Sequence, residues 1–283
     1  MNHFQISWSK GEKIHMNKVF IEDLRLVTEK YVLAEQSRLE SGGWWHPPLL
    51  SSAPIDHRFN VLPQVAIDDH LHPHDLLGSA RTLVAFFIPF KPDLIKENKD
   101  GDRPCRNWGL AYVETNNLIN GLSQALERFL SEKGFKSALT PATHNFNEEK
   151  LMARWSHKHL AHLSNLGRFG THNMLITPVG CAGRLGSFVT EADLGDNAVM
   201  DTDEACLLKV GRKCGKCIDA CPVDALEAES FQRRRCWDRL NENRDVLNYF
   251  SDLPKTTHVC GKCAALMPCS FVNPVAKLYP NVE

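Results

Sequence analysis

The segment Lys213-Cys-Gly-Lys-Cys-Ile-Asp-Ala-Cys-Pro222 places three cysteines in the spacing C-x2-C-x3-C-P. In proteins with two [4Fe–4S] clusters, the cysteine before the proline of such a run binds the other cluster. Gly215 allows the backbone to bend close to the bound sulfides, and Pro222 fixes the direction in which the chain leaves. The segment therefore predicts a site for iron–sulfur clusters.

A second group of cysteines follows the same plan. Cys260-Gly-Lys-Cys263 is another C-x2-C pair, Cys269 follows it, and Cys236 stands alone before it. Cys206 is the isolated cysteine that precedes the first segment. By crossed ligation, we predict one cluster bound by Cys206, Cys214, Cys217 and Cys269, and another bound by Cys236, Cys260, Cys263 and Cys221.

Structural zinc is the alternative use of these cysteines, because C-x2-C pairs also bind zinc. The C-x3-C-P spacing and the two matched sets of four favour iron–sulfur clusters. Cys105 and Cys181 stand apart from both sets. We expect these two to be buried thiols without a ligand role, because lone cysteines commonly pack as small hydrophobic side chains.

Composition points to an ordinary globular protein. The 283 residues are 43% hydrophobic and 24% charged, with a net charge of −1 that gives no general attraction for nucleic acid or anionic membranes. The first residues lack the apolar stretch of a signal peptide, and the apolar run near Thr82–Phe90 is too short to span a bilayer. We therefore expect a cytoplasmic protein whose cysteines are thiols or metal ligands.

Helices and strands alternate along the first two thirds of the chain. Apolar spacing predicts helices over 17–41, 108–133 and 147–163, and buried strands over 81–90 and 173–177. This alternation is typical of an α/β or α+β layer structure. The uneven distribution of cysteines predicts two domains, a larger one over 1–195 and a smaller cluster-binding one over 196–283.

The chain resembles epoxyqueuosine reductases and, more distantly, reductive dehalogenases, both of which are cobalamin-dependent iron–sulfur enzymes. The cysteine layout carries the resemblance, together with Asn165-Leu-Gly-Arg-Phe-Gly-Thr-His-Asn-Met-Leu-Ile176 and Gly186-Ser187. The resemblance implies a nitroreductase-like α/β domain that binds base-off cobalamin and a C-terminal ferredoxin-like module with two [4Fe–4S] clusters.

The resemblance also implies a direction of electron flow. An external donor such as ferredoxin or flavodoxin reduces one cluster, the second cluster passes the electron on, and cobalt reaches Co(I) to reduce an unidentified small substrate. The residues implied to line the corrin are Gly167, Gly170, Asn173, Gly186 and Ser187. The alternative for these glycines is that they only permit positive φ in a turn.

The chain departs from the family at the expected proton donor. The family's catalytic aspartate falls near Leu151, so His157, His159 and Glu149 are the candidates to replace it, because histidine delivers protons near neutral pH. A structural role is the alternative for each histidine. Thr171 and His172 stand where the family has lysine and asparagine.

The substrate expected of the family is doubtful for this chain. The helical-repeat extension that helps many epoxyqueuosine reductases hold tRNA is missing, so we expect a small substrate and regard tRNA as doubtful. Two further hypotheses stay open: an electron-transfer or activator protein without substrate turnover of its own, and a structural zinc protein.

Overall fold

The computed structural model describes residues 19–39, 43–142, 146–147 and 149–278. Its strands are β1 Leu49–Pro54, β2 Thr82–Pro89, β3 Ser137–Leu139, β4 Phe146–Asn147, β5 Met152–Ala153, β6 Arg168–Phe169, β7 Leu175–Ile176 and β8 Gly183–Thr190. The largest sheet has four strands in the order β1-β2-β8-β3, and every neighbouring pair is antiparallel. Strands β4 and β5 form one small hairpin, and β6 and β7 form another.

Helices pack on both faces of this sheet and follow it towards the C-terminus. They are α1 Ile21–Arg38, α2 Leu62–Val65, α3 Pro73–Leu76, α4 Pro92–Glu97, α5 Arg106–Glu132, α6 His157–Leu163, α7 Lys216–Asp219 and α8 Arg233–Val246. Short 3-10 turns lie at His57–Val61, Asn248–Phe250, Lys262–Ala264 and Ala276–Leu278. The structure is therefore a mixed arrangement of helices around small antiparallel sheets.

Strand β2 forms the centre of the core, and all eight of its residues are buried. Alternate residues from Val84 to Ile88 pack in the core that contains α1 and α5, whereas Leu83 and Ala85 pack in clusters that contain α6 residues. A strand covered on both faces reads as a continuous apolar run. The strand predicted over 81–90 and the helices predicted over 17–41 and 108–133 thus correspond to β2, α1 and α5 where the chain is described.

The helix predicted over 147–163 is wrong in its first half. Of the described residues in this range, only α6 is helical, and β4 and β5 precede it as a hairpin. The side chain of Asn147 accepts hydrogen bonds from the backbone N–H groups of Glu149 and Lys150, so it closes a turn and caps no long helix. Leu151 then takes a φ of 53°, which cannot continue a right-handed helix. The strand predicted over 173–177 shortens to β7.

The cysteine-rich part of the chain packs directly against α5. Phe250 and Val259 are buried in the same core as Trp108 and Tyr112. Lys262, between the second pair of cysteines, donates hydrogen bonds of 2.7 and 2.8 Å to backbone carbonyls that follow α4. These contacts fix the cysteine loops to the sheet domain. Among the described residues, no helix combines the length and the apolar character needed to cross a membrane.

Candidate metal centres and the adjoining cavities

The structure brings four cysteines together around one cavity of about 360 Å³, a volume that includes space open to solvent. We call them the first cysteine set: Cys206, Cys214, Cys217 and Cys269. Cys214 and Cys217 lie on either side of the start of α7, where Gly215 has a φ of 152°. This backbone conformation is open to glycine and disfavoured for other residues, which explains the glycine inside the C-x2-C pair.

A separate cavity of about 800 Å³ is lined by the other four cysteines. We call them the second cysteine set: Cys221, Cys236, Cys260 and Cys263. Cys236 lies in the first turn of α8. Gly261 has a φ of 74°, so the second C-x2-C pair uses its glycine as the first one does. Each set thus contains a C-x2-C pair and the cysteine that follows the other pair, as the sequence predicts.

The thiols of each set lie close enough to influence one another. Burial raises the pKa of Cys217 to about 11, and repulsion from Cys269 and Cys206 adds to this shift. Burial likewise raises the pKa of Cys236 to about 12, with Cys260 and Cys221 adding to it. Four thiolates held together in a buried site repel each other unless cationic metal compensates them. The donors therefore suit [4Fe–4S] clusters, and they also suit the zinc alternative.

Cys181, which stands apart from both sets in the sequence, lies close to the first cysteine set in the structure. The sulfur atoms of Cys181 and Cys269 and a ring nitrogen of His172 all lie within 4.8 Å of one another. Cys181 is buried, as expected. The Cys181 thiol beside Cys269 is nevertheless the main cause that lowers the pKa of Cys269 to about 5, with His172 adding to the effect.

Two further cavities adjoin the cysteine sets. The main cavity has a volume of about 1340 Å³, and the side cavity has about 750 Å³, both including space open to solvent. His159 and Arg233 line both cavities. Thr171 separates the main cavity from the first cysteine set, since it lines both spaces. Asn173 does the same for the second set.

Two cationic side chains, Lys158 and Arg233, line the side cavity. Among the residues that the structure describes, they are the charged ones in this lining. Lys158 also lines the second cysteine cavity, and its ammonium group donates a 3.2 Å hydrogen bond to the carbonyl of Asn173. Burial lowers the pKa of Lys158 to about 8, and repulsion by Arg233 contributes. Neither Lys158 nor Arg233 is among the site residues that the sequence predicts.

His157 lines the side cavity, but both of its ring nitrogens are engaged within the protein. Nε2 lies 3.1 Å from the carbonyl of Pro141, and Nδ1 lies 2.8 Å from the hydroxyl of Ser187. A carbonyl only accepts, so Nε2 carries the proton and Nδ1 accepts from Ser187. Burial lowers the pKa of His157 to about 4. His157 is thus a neutral link between the cavity wall and the sheet.

His159 has the better position for chemistry in the cavities. Its Nδ1 lies 2.7 Å from the hydroxyl of Ser156, and the residue lines both cavities. Burial lowers the pKa of His159 to about 3, with Lys158 as the next cause. Glu149 is exposed and is not among the residues that line the described cavities. Leu151, at the position expected for an aspartate, lines the side cavity.

The residues implied to line a corrin are divided by the structure. Gly170 and Asn173 line the main cavity.

Gly167 packs against β7, where an added Cβ would come within 2.7 Å of Leu175. Gly186 lies in the middle of β8, where an added Cβ would come within 2.2 Å of the Phe86 ring. Ser187 is buried and accepts a 3.1 Å hydrogen bond from Trp155, whose side chain lines the side cavity.

No model of a known protein family and no curated protein sequence matches the chain. Solved structures do match it. An epoxyqueuosine reductase bound to a modified tRNA stem loop is 17% identical over 87% of this chain, with a TM-score of 0.53. The epoxyqueuosine reductase of Bacillus subtilis is 16% identical over 87% of this chain, with a TM-score of 0.52.

A reductive dehalogenase is similar as well. A catabolic enzyme of this class, in complex with 3-bromo-4-hydroxybenzoic acid, is 12% identical over 93% of this chain, with a TM-score of 0.55. The chain matches 66% of the length of the two reductases and 38% of the length of the dehalogenase. At these identities the likeness concerns the fold, and it agrees with the resemblance that the cysteine layout and the glycine segment predict. The chain therefore has the fold that epoxyqueuosine reductases share with reductive dehalogenases.

Proposed function

We propose that the chain is a reductase in which two [4Fe–4S] clusters deliver electrons to a cofactor and substrate in the main and side cavities. The observation that carries this proposal is the grouping of eight cysteines into two sets, each beside a wall of the main cavity. Thiolates in sets of four bind [4Fe–4S] clusters, which exchange single electrons. The fold of the matching reductases supports the same class of activity.

The protein residues between the cysteines and the cavities form short links for electron transfer. Thr171 contacts the first set and the main cavity, while Asn173 and Phe231 lie between the second set and the main cavity. A single layer of side chains thus separates either set from the cavity. We propose that an external donor such as ferredoxin or flavodoxin reduces the clusters from the protein surface.

Cobalamin is the cofactor that we propose for the main cavity, with Gly170 and Asn173 in its wall. When bound, a corrinoid would supply a strongly reducing metal centre. The chain's own residues would exclude water and hold the ligand against the cysteine sets. His159 would orient the substrate through a neutral imidazole N–H, since its low pKa keeps it uncharged near neutral pH.

The side cavity favours a substrate with an anionic group. Its described charged residues are both cationic, Lys158 and Arg233, and two like charges that line one cavity repel each other unless an anion lies between them. A carboxylate or phosphate group would relieve that repulsion and accept hydrogen bonds from both side chains. We propose a small anionic molecule as the substrate, since a net charge of −1 offers no general attraction for a nucleic-acid backbone.

The experiment that tests this function is anaerobic purification after expression with added cobalamin, followed by measurement of iron, zinc and cobalt per chain. About eight irons, as two clusters require, together with about one cobalt, support the reductase. Zinc in place of iron contradicts it and favours a structural zinc protein.

An electron-transfer or activator protein is the second candidate. It is motivated by Leu151, which stands where the family has its catalytic aspartate, so the side cavity has lost the expected acid. About eight irons without cobalt, and reduction of a partner protein without substrate turnover, would favour this candidate over the reductase.

A further inference from the structure

The loop between β6 and β7 reaches two cysteines of the first set. The hydroxyl of Thr171 lies 3.4 Å from the sulfur of Cys206. Nε2 of the next residue, His172, lies 3.4 Å from the sulfur of Cys269. Consecutive residues of one loop therefore contact two different thiols of the same set, and His172 is buried where it does so.

The direction of the His172 hydrogen bond follows from its second nitrogen. The backbone N–H of Met174 lies 3.1 Å from Nδ1 of His172 and can only donate. Nδ1 is thus the acceptor in the neutral ring, and the single ring proton is on Nε2. His172 consequently donates an N–H to the sulfur of Cys269.

The surroundings hold this donor in place. A Cβ added at Gly170 would lie 2.5 Å from Cε1 of His172, so glycine leaves the room that the imidazole occupies. The backbone N–H of Cys181 donates a 2.9 Å hydrogen bond to the carbonyl of Cys269. The sulfur of Cys181 lies within 4.8 Å of both the Cys269 sulfur and a ring nitrogen of His172.

We propose that Thr171, His172 and Cys181 donate hydrogen bonds to the sulfurs of the first cysteine set and thereby raise the reduction potential of the cluster bound there. Hydrogen bonds to ligand sulfurs stabilise the extra negative charge of the reduced cluster. The inference rests on the proposed function, because it requires a cluster at the first set. In this proposal Thr171, His172 and Cys181 are positioning residues, because they act on the cluster through Cys206 and Cys269.

The test is a redox titration of the anaerobic full chain, followed by electron paramagnetic resonance. We expect His172→Phe to lower one of two midpoint potentials by about 59 mV or more, which is a ten-fold change in the one-electron equilibrium. The other couple serves as the internal control. His172→Gln retains an N–H donor and should restore most of the potential. Cys217→Ser, which removes a ligand of the first set, identifies the couple that belongs to that set.

A second pair of variants gives an independent measurement. Thr171→Val removes the hydroxyl with little change in shape and should lower the same couple, whereas Thr171→Ser should not. Cys181→Ala should lower it with unchanged iron content. If His172→Phe assembles one cluster only, the Thr171 pair decides the question.

Two results overturn the inference while leaving the proposed function intact. One is a chain with two clusters whose potentials are the same in His172→Phe, Thr171→Val and the unmodified protein. The other is loss of iron in Cys181→Ala, which would make Cys181 a ligand and not a donor. A wild-type chain that contains no iron overturns the proposed function itself, and the inference with it.

Discussion

At the scale of single residues, the cysteines differ in what surrounds their sulfur atoms. Cys217 is buried among three other thiols of the first set. Cys105 precedes α5 and is only partly buried. Since both are cysteines in the same chain, their different surroundings allow a matched test of the ligand assignment.

We expect Cys217→Ser to bind about four irons fewer than the unmodified chain, because one cluster loses a ligand. The variant should also unfold more readily, since metal binding contributes free energy of folding. Iron per chain and the urea midpoint under anaerobic conditions measure both effects. Cys105→Ser is the control and should keep its full iron content. Equal iron in the two variants would contradict the ligand assignment.

His157 gives a prediction about pH. Its folded pKa of about 4 lies below the ordinary value of 6.5, so the unfolded chain binds a proton that the folded chain does not between these pH values. Stability therefore falls as pH decreases from about 6.5 towards 4. The contribution of this partly exposed ring is about 1–2 kcal/mol. His157→Gln should reduce the slope of the urea midpoint against pH, and an unchanged slope would contradict the prediction.

Arg233 gives a prediction about ligand binding. It lines both cavities, so Arg233→Gln should weaken the binding of a small aromatic carboxylate or phosphate ester by about ten-fold, the effect of about 1.4 kcal/mol. Arg212→Gln, an exposed arginine outside these linings, is the matched control. Isothermal titration calorimetry on the iron-loaded chain measures both, and equal affinities would argue against an anion site at Arg233.

At the scale of elements, strands β2 and β8 determine where the cavity wall stands. They pair over eight residues, from Thr82 opposite Thr190 to Pro89 opposite Gly183. Ser187 in β8 connects this pair to the wall through Trp155 and His157. The neighbouring residue is Gly186, and the ring of Phe86 fills the space that a side chain at this position would need.

We expect Gly186→Ala to destabilise the protein by about 1–3 kcal/mol, the usual cost of overpacking a core. The added Cβ would lie 2.2 Å from Cζ of Phe86, a buried ring that has little room to move. Gly78→Ala is the control, because nothing lies within 4 Å of its added Cβ. Chemical denaturation measures the free energy of unfolding of the two variants. Similar values would contradict the prediction, because they would show that the Phe86 ring in β2 can move to make room for the added methyl group.

At the scale of the whole molecule, the cysteine sets and the sheet depend on different sources of stability. The sheet has a continuous apolar core, whereas loops and short helices hold the cysteines, with few large side chains buried among them. Metal ligation supplies much of the folding free energy in small sites of this kind.

Removal of iron by an anaerobic chelator should therefore expose the chain from about Cys206 to Cys269 while β2 and β8 stay protected. Hydrogen exchange followed by mass spectrometry measures this by segment. The result would support the predicted domains 1–195 and 196–283. Simultaneous loss of protection in both parts would instead show that the packing of Phe250 and Val259 on α5 makes one cooperative unit.

The sequence was informative where the pattern is local or continuous. The apolar run at β2 and the amphipathic spacing of α5 predicted those elements, because burial on both faces or on one face leaves a direct trace in residue order. The pattern over 147–163 misled because Asn147, which favours helix starts, also favours turns. The side chain of Asn147 accepts hydrogen bonds from the backbone N–H groups of Glu149 and Lys150, and these bonds close a turn.

The order and spacing of the cysteines by themselves predicted how they group, because each C-x2-C pair keeps two thiols together and the cysteine after each pair joins the other set. With the glycine segment, the cysteine layout also predicted the fold that the matching structures share. Tertiary structure alone decided what lies beside those cysteines. Cys181, His172 and Cys269 meet through packing of segments far apart in the chain, and Lys158 and Arg233 meet across the side cavity. Contacts of this kind depend on how α6, α8 and the β6–β7 hairpin pack together, and residue order carries no periodic signal for them.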